Sequence, residues 1–252
     1  MQLPCTEVVV GAGWSGVYFA YRRALAVLDP TDICLFESSD RIGGRTYSHA
    51  VGGTPFTLDL GAYRFSPDMH LPGDLILNEL ALPTRCYEPT CASAKKDMPP
   101  PFIFNYSAPL RRVVDPQSGL PSGYVTPIAK MVKKMELMGV RVIIRTELIR
   151  IRKTHAQGAG LELTFRKNDM LTFSLTPRLS MLNLPRNRLF ALEGLGEALP
   201  ERTSRMLRCI KFDQPKPEFE HWTHLNHDAR SALSKAPYPP PNPPLTPPLT
   251  PP

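Results

Sequence analysis

The sequence predicts an α/β fold with a parallel sheet, and three features near its start carry this prediction. Glu7–Val10 is a short β-branched run that ends in glycines, as a strand buried on both faces does. Apolar residues then recur at helical spacing over residues 15–27, and a second apolar run covers residues 33–36. Together they form a βαβ unit, whose crossover we expect to be right-handed.

The composition indicates a folded body with a biased end. The 252 residues are 42% hydrophobic, enough for one sizeable core or for a core with a small second lobe. Pro occurs 29 times, and much of this excess lies after Ala236. We expect this Pro-rich tail to be disordered, with extended polyproline II conformations. A partner that binds Pro-rich segments is one interpretation of the tail, and adventitious sequence is the preferred one.

The net charge of +7 does not by itself indicate nucleic acid. Arg and Lys are scattered among apolar residues instead of clustering with aromatics, so we expect a solvated basic face and no nucleic-acid partner. No apolar run reaches the roughly 18 residues that span a bilayer. The first predicted strand begins too early to leave room for a signal peptide, so the expected location is cytoplasmic.

The five cysteines are odd in number and mostly isolated, which predicts reduced intracellular thiols and no disulfide framework. Cys86 and Cys91 lack the tight spacing and the second ligand pair of a zinc site. His221, His224 and His227 have no acidic or Cys partner, so we expect a solvated linker there. We therefore assign no metal.

The remaining elements follow in order. Prolines break the pattern between residues 66 and 123, where only residues 74–82 look helical. Thr126 is the predicted N-cap of a helix that ends at Gly139, and its apolar stripe is predicted to be core: Ile128, Met131, Val132, Met135 and Met138. Residues 140–151 indicate strand, turn and strand, residues 161–165 and 171–175 a hairpin around Asn168 and Asp169, and residues 180–184 a last short strand.

The predicted domain organisation has four parts. Residues 1–66 form the nucleotide-binding βαβ unit and a following loop, and residues 67–122 form an inserted substrate or cap segment. Residues 123–195 return to the nucleotide-binding domain, and residues 196–252 are a linker with the Pro-rich tail.

The run Gly11-Ala12-Gly13-Trp14-Ser15-Gly16 lies between the first strand and the first helix, where a dinucleotide-binding Rossmann fold carries G-x-G-x-x-G. Gly11 permits the tight turn, Gly13 lets the backbone approach a pyrophosphate, and Gly16 permits close packing of helix on strand. Trp14 and Ser15 open the helix beside that phosphate. Glu37, about 20 residues on, would accept bonds from ribose hydroxyls and disfavour NADP. The alternative is a plain turn with a surface carboxylate.

The next motif separates FAD from NAD. Arg41-Ile42-Gly43-Gly44-Arg45 follows Glu37 and resembles the E-x-x-x-R-x-G-G-R extension of the flavin amine oxidase superfamily. The resemblance implies that FAD is the cofactor. Gly43 and Gly44 would bring the backbone against it while Arg45 offers a donor fork to phosphate. Arg41 is either a cofactor contact or part of a surface salt bridge.

Two further stretches carry the resemblance. The run from Asp59 to Phe65 is similar to the family's turn beside the flavin, which implies cofactor contacts from Gly61, Ala62 and Tyr63. Its version in L-amino acid oxidases implies that Arg64 grips the substrate carboxylate, and the alternative is an ion pair with Asp59 or Asp68. Leu148 falls where the family's backbone meets adenine.

The resemblance implies an FAD-dependent oxidation of a primary amine, favouring an L-amino acid, to an imine, with dioxygen reduced to hydrogen peroxide. No catalytic base is identified among the six His residues. Family members are normally longer, and nothing after Leu195 resembles their flavin-closing C-terminal motif, which predicts a truncated chain. Two alternatives stay open: a non-catalytic FAD-binding remnant or interaction protein, and a related FAD enzyme of the carotenoid desaturase or protoporphyrinogen oxidase type.

Overall fold

The computed structural model describes residues 4–87, 110–154 and 160–203. Two short helical turns, Pro30–Asp32 and the π-type Leu75–Glu79, accompany the main elements. In chain order the main elements are β1 (Glu7–Val10), α1 (Trp14–Ala26), β2 (Ile33–Phe36), β3 (Ser48–Ala50), β4 (Thr57–Asp59), α2 (His70–Asp74), β5 (Thr84–Cys86), β6 (Arg111–Val113), α3 (Thr126–Leu137), β7 (Arg141–Ile143), β8 (Thr146–Thr154), β9 (Gly160–Lys167), β10 (Leu171–Leu175), β11 (Leu179–Leu182), α4 (Arg186–Phe190) and α5 (Leu195–Ala198).

A four-stranded parallel sheet in the order β11-β1-β2-β7 is the centre of the fold. Its two middle strands, β1 and β2, pair from Glu7 with Ile33 to Val10 with Phe36, and both are buried along their whole length. The α/β class, the parallel sheet and the opening βαβ unit predicted from the sequence are thus confirmed. Burial on both faces explains why these two strands are continuous apolar runs.

One face of the sheet is covered by two helices. The buried side of α1, which includes Val17 and Tyr21, packs in one core cluster with Ile128, Met131 and Met135 of α3. These three side chains are fully buried, so each contributes about 1.5–3 kcal/mol through the hydrophobic effect. The prediction that the Met stripe is core is confirmed.

The start of α3 differs from its prediction. Val125, not Thr126, occupies the N-cap position, and no side chain caps the helix there. The Thr126 hydroxyl donates to the carbonyl of Ser122 at 3.0 Å. The Thr126 hydroxyl therefore bonds to the turn before the helix and not to the N–H groups of the first helical turn.

The opposite face carries a three-stranded antiparallel sheet of β8, β9 and β10. Phe165 of β9 stacks on Phe36 of β2 with ring centroids 4.3 Å apart, in a second core cluster. The β9–β10 hairpin turns at Asn168 and Asp169, which have φ values of 51° and 59°. Both values are typical of a type I′ turn, which the amide of Met170 closes by donating to the carbonyl of Lys167 at 3.2 Å. Three residues separate the paired Lys167 and Leu171, and the predicted hairpin is confirmed.

The inserted segment is described in part. Its helical stretch begins at His70 and runs through α2 into the π-turn, earlier than the predicted residues 74–82. Leu75, Ile76 and Leu80 are buried, so packing sets its position. The strands β5 and β6 pair as an antiparallel hairpin. The Pro-rich tail, the His221–His227 tract, Cys91 and Cys209 lie outside the described residues, and the four-part division stays a prediction.

The prediction of reduced thiols was wrong. Cys5 and Cys34 form a disulfide with a Cα–Cα distance of 5.5 Å, and Cys86 is disulfide-bonded as well. Parallel pairing of β1 with β2 brings Cys5 beside Cys34, a proximity that spacing along the chain does not reveal. The argument from thiols for a cytoplasmic location is thereby lost.

Residues 4–87, 110–154 and 160–203 contain neither a candidate membrane span nor a candidate metal cluster. None of the helices in them has the length and apolar character needed to cross a membrane. They also contain no group of three or more His, Cys, Asp and Glu side chains that could hold a metal ion.

The disulfide should stabilise the sheet measurably. Replacing both cysteines, Cys5→Ala and Cys34→Ala, should lower the free energy of unfolding by about 3–4 kcal/mol, because the bridge closes a loop with a sequence separation of 29. Urea unfolding monitored by circular dichroism measures the change. Dithiothreitol should lower the stability of the wild type by more than that of the double variant, which still has the bond at Cys86. A wild type whose stability ignores the reductant would contradict the bridge.

Candidate functional site

A cavity of about 1120 Å³ lies where the strands of the parallel sheet end. Val10 closes β1, Glu37 follows β2 and Asn183 follows β11, and all three line it. Ligands of open α/β sheets bind outside these carboxyl ends. Most of the residues predicted to bind a cofactor line this cavity: Gly11, Gly13, Trp14, Ser15, Glu37, Gly43, Gly44, Arg45, Gly61, Ala62 and Leu148.

The glycines of the first turn are required for different reasons. Gly11 has a φ of +99°, and a Cβ there would collide with the carbonyl oxygen of Asn183. A Cβ on Gly16 would collide with the carbonyl oxygen of Gly11, so Gly16 packs α1 against the turn. At Gly13, by contrast, the nearest atom to a Cβ would be 3.7 Å away. A side chain at Gly13 would therefore enter the cavity without disturbing the fold.

The loop after β2 meets the first turn backbone to backbone. The amide of Gly43 donates to the carbonyl of Ala12 at 2.8 Å. A Cβ on Gly44 would be 3.2 Å from the Cα of Gly13, and one on Gly61 would collide with the carbonyl of Arg45. Three stretches that are distant in sequence are thus held together through residues without side chains. Arg45 is exposed at the cavity wall.

Glu37 is buried and its carboxylate is held by the protein. One oxygen accepts from the amide of Ala12 at 2.8 Å, and the other accepts from the amide and hydroxyl of Ser39, each at 2.9 Å. Each carboxylate oxygen has two lone pairs, and the side chain lines the cavity. Glu37 can therefore accept a further bond from a ligand without losing its fixed position.

The structure places four of the predicted site residues away from the cavity. Gly16 lies buried in α1, and Tyr63 and Arg64 follow the Gly61–Ala62 turn. The Arg41 guanidinium donates to the carbonyl of Gly44 at 2.9 Å and lies 4.5 Å from the ring centroid of Tyr47. Arg41 thus steadies the glycine loop, although ligand contact from it stays a prediction.

The surroundings of Arg64 exclude one of its predicted alternatives. Its guanidinium lies over the rings of Tyr63 and Tyr87, 5.0 and 5.2 Å from their centroids. The Asp59 carboxylate accepts instead from the Ser48 hydroxyl and the Tyr124 amide. Burial raises the pKa of Asp59, and the bond from Ser48 opposes that rise. The ion pair between Arg64 and Asp59 does not form.

Comparisons with known proteins agree with this geometry. The family model described as an NAD(P)-binding Rossmann-like domain matches residues 9–71. The matched residues include the end of β1, all of α1 and β2, and the glycine-rich loop after β2. The predicted Rossmann-like fold is thereby confirmed.

Two of the curated relatives are named as an oxidase and a monooxygenase. Coproporphyrinogen III oxidase of Mycobacterium tuberculosis is 42% identical over 85 residues, which are 32% of this chain and 18% of the relative. Tryptophan 2-monooxygenase of Agrobacterium tumefaciens is 42% identical over 60 residues, 23% of this chain and 8% of the relative. A redesigned triple mutant of putrescine oxidase matches in fold with a TM-score of 0.54 at 16% identity, over 81% of this chain and 63% of that chain.

These comparisons confirm the predicted resemblance to oxidoreductases of the amine oxidase type. The chain spans 18% or less of the length of the two curated relatives. The family model, by its range of residues 9–71, covers the glycine turn, Glu37 and the following loop. The activity of a whole enzyme does not follow from it.

Some cavity residues were not foreseen from the sequence. Asn183 packs under Gly11, and Thr46 and Thr146 line the walls. Arg166, Arg186 and Arg188 add positive charge at the end formed by β8, β9 and α4, and Arg166 pairs with Glu147 at 2.7 Å. These residues belong to no motif, because they reach the cavity only through the return of the chain to the sheet. The short strand predicted over residues 180–184 is the signal in the sequence that points to this region.

The first turn supplies a direct stability test. Gly11→Ala should lower the free energy of unfolding by at least about 1–2 kcal/mol, because its Cβ meets the Asn183 carbonyl and its φ is left-handed. The matched control is Gly196→Ala, whose Cβ would have no neighbour within 4 Å and whose stability should be equal or slightly higher. Urea unfolding compares the two. Equal stabilities would contradict the close contact at Gly11.

Proposed function

We propose that the chain binds FAD and is an FAD-dependent oxidoreductase of the amine oxidase type. The observation that carries the proposal is the cavity itself, where the glycine turn, Glu37 and the Gly43–Gly44–Arg45 loop meet at the ends of a parallel sheet. Its size accommodates an elongated ligand such as a dinucleotide. The charges of its wall, Arg45, Arg166, Arg186 and Arg188 against Glu37 and Glu147, suit an anion.

Two observations test whether these residues fit FAD. The space beside Gly13 would be filled by a Cβ, as expected where a backbone must approach a phosphate closely. The indole Nε1 of Trp14, on the cavity wall, is buried and has no hydrogen-bond partner within the described ranges. Both features suit a ligand in this cavity, so the residues fit the cofactor.

Different residues of the chain would bind different parts of the cofactor. The N-terminus of α1, at Gly13 and Ser15, presents amide groups and a positive dipole end to the pyrophosphate. Arg45 would add a charged donor fork. Glu37 would accept hydrogen bonds from the ribose hydroxyls, and the backbone at Leu148 would lie against adenine.

The reaction proposed is oxidation of a primary amine, with L-amino acids favoured. FAD, when bound, supplies the acceptor for the hydride equivalent that leaves the α-carbon, and dioxygen is reduced to hydrogen peroxide. The protein's task is to orient the amine and exclude water. Arg64, which follows the Gly61–Ala62 turn, would hold the α-carboxylate through its planar donor fork.

A second candidate is a related FAD enzyme acting on another substrate class. It is favoured by the 42% identity to a protein named coproporphyrinogen III oxidase. That identity spans 85 residues and 18% of the relative, so it does not decide the substrate. A non-catalytic remnant that binds FAD is the third candidate, and the measurements below separate all three.

Binding of FAD is the first measurement. The purified chain should be yellow, or should take up added FAD with a change in visible absorbance. Gly13→Ala should weaken FAD binding at least about tenfold, because its Cβ occupies the space beside the pyrophosphate. Gly196→Ala is the control and should bind normally. A folded, colourless wild type that does not bind added FAD would contradict the proposal.

Substrate class is tested at Arg64. Arg64→Ala should lower kcat/KM for L-amino acids by roughly 30–150-fold, the effect of losing about 2–3 kcal/mol from charge-assisted hydrogen bonds. Oxidation of amines without a carboxylate should change little. Peroxide release over a panel of L-amino acids and amines gives both values. Arg152→Ala, in an exposed pair with Glu162, is the control. Amino-acid activity unaffected by the Arg64 change would end this role, and peroxide from neither group with FAD bound would favour the other candidates.

A further inference from the structure

The hairpin of β3 and β4 connects two loops that line the large cavity. The loop of residues 43–46 ends two positions before β3 begins, and the turn of residues 61–62 starts two positions after β4 ends. The amide of Leu60 donates to the carbonyl of Tyr47 at 2.7 Å and so ties the two loops together at the base of the hairpin. The position of this hairpin therefore decides where both loops lie.

The hairpin is fastened to the start of α3 by Asp59. Ser48 and Asp59 lie opposite each other in the pairing of β3 with β4. The Oδ1 atom of Asp59 accepts from the Ser48 hydroxyl and from the amide of Tyr124, the latter at 2.9 Å. The Ser48 hydroxyl oxygen accepts in turn from the amide of Val125, the N-cap residue of α3, at 3.1 Å. These three hydrogen bonds are called here the Asp59 clasp.

The chain before α3 fits closely against the clasp. Gly123 has a φ of +88°, and a Cβ there would collide with the side chain of Ser48. Tyr124 is buried, so its amide needs an acceptor inside the protein. The carboxylate of Asp59 supplies that acceptor. Removal of this carboxylate would therefore disturb both the hairpin and the segment that leads into α3.

A third part of the cavity wall depends on the same contacts. The ring centroid of Tyr124 lies 5.4 Å from that of Trp14, and Trp14 lines the cavity beside Gly13. By holding the backbone of Tyr124, the clasp holds the ring against which Trp14 packs. The wall segments at residues 14, 43–46 and 61–62 are distant in sequence, and all three are connected to one carboxylate.

The hairpin needs such an attachment. The strands β3 and β4 have three residues each and form a two-stranded sheet of their own. A two-stranded hairpin is at best marginally stable in water by itself. None of the six strand residues is fully buried, so apolar packing holds the hairpin only weakly. The hydrogen bonds to the start of α3 therefore contribute strongly to its position.

We propose that Asp59 is a positioning residue of the cofactor site, which acts through the clasp to hold the three wall segments in the arrangement that binds FAD. This inference rests on the proposed binding of FAD. Neither Asp59 nor Ser48 lines the large cavity, so the effect of Asp59 on the cofactor is indirect. Its part is that of a hydrogen-bond acceptor for the Ser48 hydroxyl and the Tyr124 amide.

Hydrogen–deuterium exchange of the full chain without FAD tests the clasp itself. The amide of Thr46 donates to the carbonyl of Gly43, and that of Leu60 donates to the carbonyl of Tyr47. In Asp59→Ala both amides should exchange at least about tenfold faster, because the loops open locally more often. A folded variant with wild-type exchange at both amides overturns the proposal.

Titration of the full chain with FAD, followed by calorimetry, tests the consequence for the cofactor. Asp59→Ala should weaken FAD binding at least about tenfold. Asp59→Asn should stay within about threefold of the wild type, since its amide oxygen can accept the same two hydrogen bonds although the charge is lost. Ser48→Ala removes two of the three bonds of the clasp and should weaken FAD binding at least about threefold. Ser48→Ala carries the test if Asp59→Ala does not fold.

Glu7 provides a matched control. Its carboxylate is also buried and held by hydrogen bonds, from Arg23 at 2.6 Å and from Arg178 at 2.7 Å. It opens β1, three residues and about 10 Å of strand before Val10 at the cavity. Glu7→Ala should lower the stability of the fold, yet keep FAD affinity within about twofold of the wild type. Circular dichroism checks that each variant is folded.

The outcomes separate this inference from the proposed function. A wild type that binds FAD, with Asp59→Ala binding it equally well, overturns the positioning role and leaves the proposed function intact. A folded wild type that does not bind FAD overturns the proposed function and the positioning role with it. Asp59→Asn as weak as Asp59→Ala overturns the assignment to hydrogen bonds. Equal loss of FAD affinity in Glu7→Ala shows a general effect of stability and overturns the specific role of Asp59.

Discussion

The backbone of Ala12 is the feature on which the candidate site depends. Its amide donates to the buried carboxylate of Glu37, and its carbonyl accepts from the amide of Gly43. The residue itself is fully buried, so both bonds are sheltered from water. One residue thus joins the turn after β1, the end of β2 and the loop that carries Arg45. A loss of either bond would release one wall of the cavity.

The sheet supports this junction from both faces. Helices α1 and α3 cover one side, and the β8–β9–β10 sheet covers the other through Phe36 and Phe165. Asn183 follows the strand next to β1, and its carbonyl occupies the place where a side chain on Gly11 would project. The return of the chain to the sheet is therefore what closes the underside of the first turn. The glycine turn and the residue that follows the last strand are therefore in direct contact.

Several expectations held because they depend on local pattern. The βαβ unit, the Met stripe of α3 and the turn at Asn168 and Asp169 follow from periodicity and turn chemistry. Other expectations were wrong where contacts between residues distant in sequence determine the structure. The Cys5–Cys34 bridge arises from strand pairing, and the hydroxyl of Thr126 found an acceptor in the preceding turn. Spacing along a chain cannot report either contact.

The sequence by itself determined the glycine turn, the acid at Glu37 and the motif after it, because a phosphate-binding turn needs particular residues at short, fixed spacings. Only the tertiary structure decided which residues line the cavity. Asn183 lines it, whereas Arg41 does not and instead donates to the carbonyl of Gly44. The placement of Arg64, Arg85 and Arg112 on neighbouring strands belongs to the second kind, since only strand register sets them opposite one another. Register is set by pairing between distant segments, and no motif of a single segment encodes it.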